Sequence, residues 1–476
     1  MCSDPRAFRY DVAMSAVSYK FASVAEAYAA LDSRLNVETA RQASGDIAHL
    51  SQAFELDRMR SLMAQLDDPQ DSLALIHVAG SKGKGSVCQM TAAMLQGCGC
   101  AVGLYTSPHM VELRERVQVN GSWIDQSEFC DALARVLRAA DNVPSSLGSC
   151  THFEIVTALA FLHFAEQAVD YGIIETGMGG LLDATNIITP RVSVITAIQG
   201  EHRQFLGRTL EEIATHKAGI IKPGAPAIVL PQQTDSVMEV FRAAAERVQA
   251  PMTVLGVGND FSLRLEASPE IGPHHKVNFK GQSLHLEHVT VPLKGEHQAW
   301  NCGLVLSIAD ELVRQGCSLA PERITAGLAN TSNAGRLELV YKEPRIMVDG
   351  AHNPESLRET IKALRQSVKY DSLWVVFGCA SDKEVDAMLA ALSSGADKVV
   401  FTKATGNARA MEPKLLAKRY QDQIGRQAQV EANVRDAINA AARRLMTTDL
   451  ILVTGSFAVA GEAKRLFLEK QRAVRQ

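Results

Sequence analysis

Long apolar runs, paired cysteines and an excess of either charge are all missing from this 476-residue chain. Its net charge is −4, its pI is about 6.4, and acidic and basic residues are interspersed. That leaves no electrostatic footprint for nucleic acid or an anionic membrane, so an anionic substrate has to be held by local groups. The opening stretch MCSDPRAFRYDVAMSAVSYK carries Asp4 and Asp11 without a continuous apolar run, and reads neither as a signal peptide nor as a membrane span. Residues 1–22 are expected to form a flexible extension. The nine cysteines, Cys88, Cys98, Cys100 and Cys302 among them, make no CxxC pair and no zinc-like set with histidine. They read as buried thiols of a cytoplasmic protein. Internal repeats and low-complexity tracts are absent too.

What the chain does have is alternation. From residue 73 onward, short apolar runs alternate with segments of helical period, the pattern of mostly parallel sheets covered by helices in an α/β protein. LALIHVAG, AVGLYTS, VDYGIIE, VSVITAI and APAIVL read as strands of a first domain, residues 23–333. Alternating segments between about 258 and 294 suggest a small antiparallel addition. A short polar stretch, TSNAGRLEL, places a linker at 334–336, after which RIMVDG, LWVVFG, KVVFT and LILVTG restart the pattern in a smaller α/β domain, 337–476.

The segment HVAGSKGKGSVCQM, residues 77–90, resembles a phosphate loop whose spacing is altered, because Gly85 separates Lys84 from Ser86. A phosphate loop needs inward backbone N–H groups, a helix N-terminus, a lysine for the outer phosphates and a hydroxyl for Mg²⁺. Gly80, Gly83, Gly85, Lys84 and Ser86 supply these. A plain glycine-rich turn between strand and helix is the competing reading of that segment. Glu175 ends an apolar strand, where open parallel sheets place ligands, and reads either as a metal ligand or as a solvated loop acid. His202 also follows a strand, while Lys217, by composition, reads as a surface helix cation.

HVAGSKGKGS followed by GLYTSPHMVELRERVQVNG resembles the folylpolyglutamate synthase and dihydrofolate synthase family of Mur-type ATP-dependent amide ligases, whose loop carries the same extra glycine. HFEIVTALAFLHFAE, ETGMGGLLDATNII, GEHRQFLGRTLEEIATHKAGIIKPG, GEHQAWN, AGRLE, DGAHNPES and TGSFAVAGEA follow in the family's order. The resemblance implies a P-loop-type Mur-ligase central ATPase domain and a Rossmann-like C-terminal domain. It implies ATP held by Gly80, Ser81, Lys82, Gly83, Lys84, Gly85 and Ser86, with His297 and Asn301 near the adenine and Arg336 and Asp349 reaching across the cleft. One Mg²⁺ would sit on Ser86 and Glu175, and a second on His202 and Lys217, the lysine carbamylated by CO₂ into an oxygen ligand. Lys84, Glu175, His202 and Lys217 are thus the implied catalytic set, and Thr106, Ser107, Pro108, His109, Phe153 and Glu154 would shape the folate and pterin site.

The implied reaction activates a carboxylate of dihydropteroate or a reduced folate with ATP as an acyl phosphate, which L-glutamate attacks. Only small-molecule partners are implied, with no nucleic acid or membrane, for a cytoplasmic monomer. Leu181 stands where the family has arginine, Gln199, Gly200 and Glu201 replace its GLD, and Ala334 replaces a proline. Leu181 favours the alternative of a Mur-type ligase for another carboxylate. A nucleotide-binding module without turnover is the remaining alternative.

Overall fold

In the computed structural model of the chain, residues 19–36, 56–200, 202–231, 234–268 and 272–475 are described, with side chains to residue 470. Of the extension expected over 1–22, residues 1–18 lie outside the described residues. Residues 19–22 are docked, since Tyr19 and Phe21 pack on the domain core and the Tyr19 hydroxyl donates to Asp141 at 2.8 Å.

Among the described residues, the first sheet has eight strands. They are β1 Leu75–Ala79, β2 Val102–Tyr105, β3 Val117–Val119, β4 Ser122–Trp123, β5 Tyr171–Glu175, β6 Val192–Ile195, β7 Ala227–Val229 and β8 Met252–Val254, in the order β4-β3-β2-β5-β1-β6-β7-β8. The pairs β2–β5, β5–β1, β1–β6, β6–β7 and β7–β8 are parallel. β1 is buried along its whole length, as a central parallel strand covered on both faces must be, which is why LIHVA is nearly continuous in apolar residues. The chain leaves β1 toward β2 on one side and later returns past β5 to β6 on the other. The carboxyl end of β1 is therefore a topological switch point.

Helix His152–Glu166 is almost completely buried, packing against helix Gln126–Asp141 and the sheet. Its first turn is closed by a capping box between Thr151 and Glu154. The antiparallel addition is β9 Asp260–Ser268, β10 Gly272–Lys280 and β11 His285–Thr290. The Asp310 carboxylate fastens it by accepting from the backbone N–H groups of Gln282, Ser283 and Leu284.

The second large sheet comprises β12 Glu338–Tyr341, β13 Ile346–Val348, β14 Leu373–Phe377, β15 Lys398–Phe401, β16 Gln429–Val430 and β17 Leu450–Thr454. Its order is β12-β13-β17-β14-β15-β16, parallel except for the antiparallel edge strand β12. Helices cover both faces, and each face has its own apolar cluster. The α/β class expected from the alternation is the class observed. An apolar contact crosses between the halves: Met110, from the loop after β2, belongs to the cluster of Val348, Val453 and Ala460 in the C-terminal half. No described helix is long and apolar enough to cross a membrane.

Candidate active site

Residues 80–83 leave β1 at the switch point and run into helix Lys84–Gly97. Ser81 and Lys82 donate their backbone N–H groups to the Ala197 carbonyl at 2.8 and 3.2 Å, which ties the loop to the segment after β6. Gly83 is the N-cap with φ 93°, and a Cβ there would lie 2.5 Å from Asn301 Oδ1. Both the left-handed backbone and the close approach require glycine. Gly85 is the insertion that alters the loop's spacing, and a Cβ on it would run into the Arg336 guanidinium and stand 3.3 Å from Glu175 Oε2. The extra glycine therefore clears room where a linker cation and a buried acid meet the loop.

Two of the lysines expected at the site converge on one carbonyl. Lys84 Nζ donates to Gly80 O at 3.0 Å and Lys217 Nζ to the same oxygen at 2.8 Å. Lys217 is only 1% exposed, so the structure replaces the surface cation that composition suggests with a buried one beside the phosphate loop. Arg336 Nε donates to Ser86 Oγ at 2.7 Å. Glu175 Oε2 accepts from the backbone N–H of Ser107 at 3.1 Å. Burial pushes the Glu175 carboxyl above the usual carboxylate range, and Lys84, the Ser107 N–H, Arg336 and Arg116 pull it back. His202 sits at the start of helix Arg203–Leu206 with φ 48° and ψ 33°, a left-handed conformation that is rare for histidine. Glu201 lies outside the described residues.

The nucleotide residues expected farther along are placed as follows. Asn301 is buried over the loop and donates to Gln298 Oε1 at 2.9 Å. His297, one turn earlier, is turned toward the C-terminal half, 3.7 Å from Glu359. Asp349 is buried at the end of β13, where it accepts from Leu337 N, Ala351 N and Thr360 Oγ1 at 3.0, 3.0 and 2.8 Å. Its carboxyl, raised by burial, anchors the residue that follows Arg336 and so sets where the linker arginine begins.

In the expected pterin region, Thr106 N donates to Arg116 O at 3.1 Å, the Ser107–Pro108 bond is cis, and His109 Nδ1 accepts from Arg116 Nε at 3.1 Å. Phe153 lays its half-buried ring over Gly177. Glu154 is different. Its oxygens take Arg58 Nε at 3.0 and 2.9 Å and the Thr151 N–H at 2.7 Å, so this carboxylate is committed to the fold rather than to a ligand. Asp183 was not singled out in the sequence, yet its buried carboxylate accepts from Met178 N and Thr185 Oγ1 at 2.7 and 2.6 Å and shapes the loop after Glu175. An acid inside the apolar GGLLDATN segment was the available signal. Leu181 and Leu182 beside it are 41% and 43% exposed.

These residues fit a magnesium ion shared with phosphates. Ser86 and Glu175 offer a hydroxyl and a carboxylate, both buried, and Arg336 and Lys84 already supply positive charge there. Among the described residues no group of three or more His, Cys, Asp or Glu side chains makes a metal cage by itself. Substrate oxygens would have to complete the coordination of such an ion, as is usual for Mg²⁺.

Residues 78–309 match the Mur ligase middle domain and residues 335–457 the Mur ligase glutamate ligase domain. A Bacillus subtilis dihydrofolate synthase/folylpolyglutamate synthase is 36% identical over 355 residues, 73% of this chain and 80% of the relative. The corresponding Mycobacterium tuberculosis protein is 33% identical over 448 residues, 87% of this chain and 90% of its own length. Among solved structures, M. tuberculosis folylpolyglutamate synthase complexed with ADP and AMPPCP has a TM-score of 0.81 at 31% identity, covering 94% of this chain and 98% of the other. E. coli FolC in complex with DHPP and ADP has a TM-score of 0.75 at 27% identity, covering 90% and 99%. With both Mur ligase domains in order around a nucleotide-type loop, the chain belongs to the folylpolyglutamate synthase and dihydrofolate synthase family of ATP-dependent Mur-type ligases.

Proposed function

We propose that the enzyme joins L-glutamate in amide linkage to dihydropteroate, to the glutamate chain of a reduced folate, or to both. The observation that carries this reading is the meeting of Lys84, Ser86, Glu175 and Arg336 at the switch point of the first sheet. A substrate carboxylate oxygen attacks the γ-phosphorus of ATP, the bond to the bridging oxygen breaks, and ADP and an acyl phosphate result. The amine of L-glutamate then attacks the acyl carbon, phosphate leaves and the amine gives up a proton to form the amide. Lys84 and the N–H groups at the start of helix Lys84–Gly97 hold the phosphates. Arg336 leaves Ser86 for the nucleotide as the cleft closes, and closure keeps water from the acyl phosphate. Mg²⁺ held through Ser86 and Glu175 would neutralise phosphate charge.

Lys217 is the residue we assign to carbamylation. The ammonium first gives up a proton, and addition of CO₂ to the neutral amine then releases a second. The carbamate keeps one N–H for the Gly80 carbonyl while a cation becomes an anionic oxygen ligand, which with His202 would serve a second Mg²⁺. The pterin is assigned to Phe153 and the 106–109 loop. Leu181 and Leu182, exposed at the rim, add apolar surface there instead of the positive charge that arginine would bring. We take the enzyme as a cytoplasmic monomer; light scattering should give a mass near the chain's 51.5 kDa.

The test is phosphate release with ATP, Mg²⁺ and L-glutamate, comparing dihydropteroate, tetrahydrofolate and no acceptor, with product masses read in parallel. A glutamyl adduct on either pterin is expected. No adduct on either, with ATP still bound, moves the reaction to another carboxylate and makes Leu181 the residue to change first. Lys84→Ala and Glu175→Gln are each expected to lower turnover by at least about 10²–10³-fold without unfolding the protein. Wild-type rates in either variant would overturn the assignment of the site.

A further inference from the structure

Residues 106–116, which leave β2 and return as β3, form a loop tied at its base, its middle and its tip. Its base is closed by the Thr106 N–H on the Arg116 carbonyl at 3.1 Å. Its tip is clasped by the Glu115 carboxylate, which accepts from the N–H groups of Met110, Val111 and Glu112 at 2.9, 2.7 and 3.2 Å. Between base and tip, Arg116 Nε donates to His109 Nδ1 at 3.1 Å. That bond leaves the ring proton of a neutral His109 on Nε2.

The loop touches both halves of the molecule. On one side the Ser107 N–H holds the Glu175 carboxylate at 3.1 Å. On the other, the Met110 side chain is buried in the C-terminal cluster and its carbonyl abuts Gly461, while Arg465 donates to the Val111 carbonyl at 2.9 Å. Arg116 itself is 2% exposed. Burying a guanidinium is unfavourable unless its charge and donors are used; part of that charge favours the ionised Glu175 carboxyl, and Nε is spent on His109.

We propose that Arg116, acting through His109, is a positioning residue that stiffens the 106–116 loop into a strut between Glu175 and the C-terminal domain. The strut sets where that domain comes to rest over the phosphate site, and so how well water is kept from the acyl phosphate. This last consequence rests on the ligase reading above; the stiffness of the loop does not.

The experiment uses the full chain and the variants Arg116→Met, His109→Ala, His109→Gln and the double variant Arg116→Met/His109→Ala. Two quantities are read: phosphate released per glutamyl adduct, and amide exchange of the 106–116 peptide with ADP bound. The wild type should release one phosphate for each adduct. Arg116→Met and His109→Ala should each release severalfold more, with about tenfold faster exchange in the loop. The double variant should be no worse than Arg116→Met, because the bond between the two side chains is already lost in that single variant. His109→Gln, which keeps an acceptor for the guanidinium, should recover most of the coupling. Wild-type coupling and exchange in both single variants, or effects that simply add, overturn the proposal. Should Arg116→Met fail to fold, His109→Ala alone decides by the same criteria. A wild-type enzyme that forms no adduct overturns the ligase reading instead, and the exchange data then judge the strut.

Discussion

At the scale of single residues, His77 shows how the strand feeding the phosphate loop is wired. Its Nε2 lies 2.8 Å from Thr185 Oγ1, and that hydroxyl gives its own proton to Asp183 at 2.6 Å. The threonine oxygen can then only accept, so Nε2 of His77 carries a proton. Burial, aided by nearby Lys222, pushes its pKa from the ordinary 6.5 down to about 3. Between those values the unfolded chain takes up a proton that the folded one refuses. Stability therefore falls as pH drops through that window. The melting temperature should decline from pH 7 to pH 5, and His77→Gln, which cannot titrate, should flatten the decline. Gly83 gives a second prediction. Gly83→Ala puts a Cβ 2.5 Å from Asn301 Oδ1 on a left-handed backbone, and should weaken ADP binding by at least about tenfold through some 1–3 kcal/mol of local strain. Calorimetric titration measures it.

Among the elements, helix His152–Glu166 illustrates a buried ion pair used for orientation. Arg58, from helix Leu56–Ala64, and Glu154 are each 3% exposed, and Arg58 Nη1 also reaches the Leu147 carbonyl at 3.1 Å. Removing one partner leaves the other charged and buried. Arg58→Met should cost about 3–5 kcal/mol in a denaturant titration, and the double variant Arg58→Met/Glu154→Leu should recover part of that loss. HFEIVTALAFLHFAE was singled out only as one of the family's segments, with Glu154 expected at the pterin site, and the bond of Glu154 to Arg58 was not legible. Its partner is 96 residues away, and no local pattern reports it. The strands that carry the sites were legible because each is a continuous apolar run. The pair β3–β4 was not, being two or three residues per strand with no period to read.

For the whole molecule, the contacts between the halves differ greatly in weight. Glu296–Lys362 and His297–Glu359 lie on a rim where every side chain is nearly half exposed, and such pairs contribute about 0–1 kcal/mol each. Lys362→Ala should accordingly leave stability and turnover near wild type. Met110 is an apolar side chain of one half seated in the core of the other. Met110→Ala should cost about 2–5 kcal/mol of packing and separate thermal unfolding into two calorimetric transitions.

By itself the sequence determined what depends on short stretches: the α/β alternation, the glycine-rich turn from β1 into a helix, the acid at the end of β5 and the restart of the strand pattern after residue 337. Each is carried by neighbours within about one strand or helix, where period and punctuation report backbone state directly. Only the tertiary structure decided that Lys84 and Lys217 share the Gly80 carbonyl, that Arg336 reaches Ser86 across 250 residues, and that Arg116 is buried at the base of a loop that touches both halves. Those facts depend on which strand lies beside which and on what the second domain covers, and a charge pattern along the chain is the same whether its cations face water or one another.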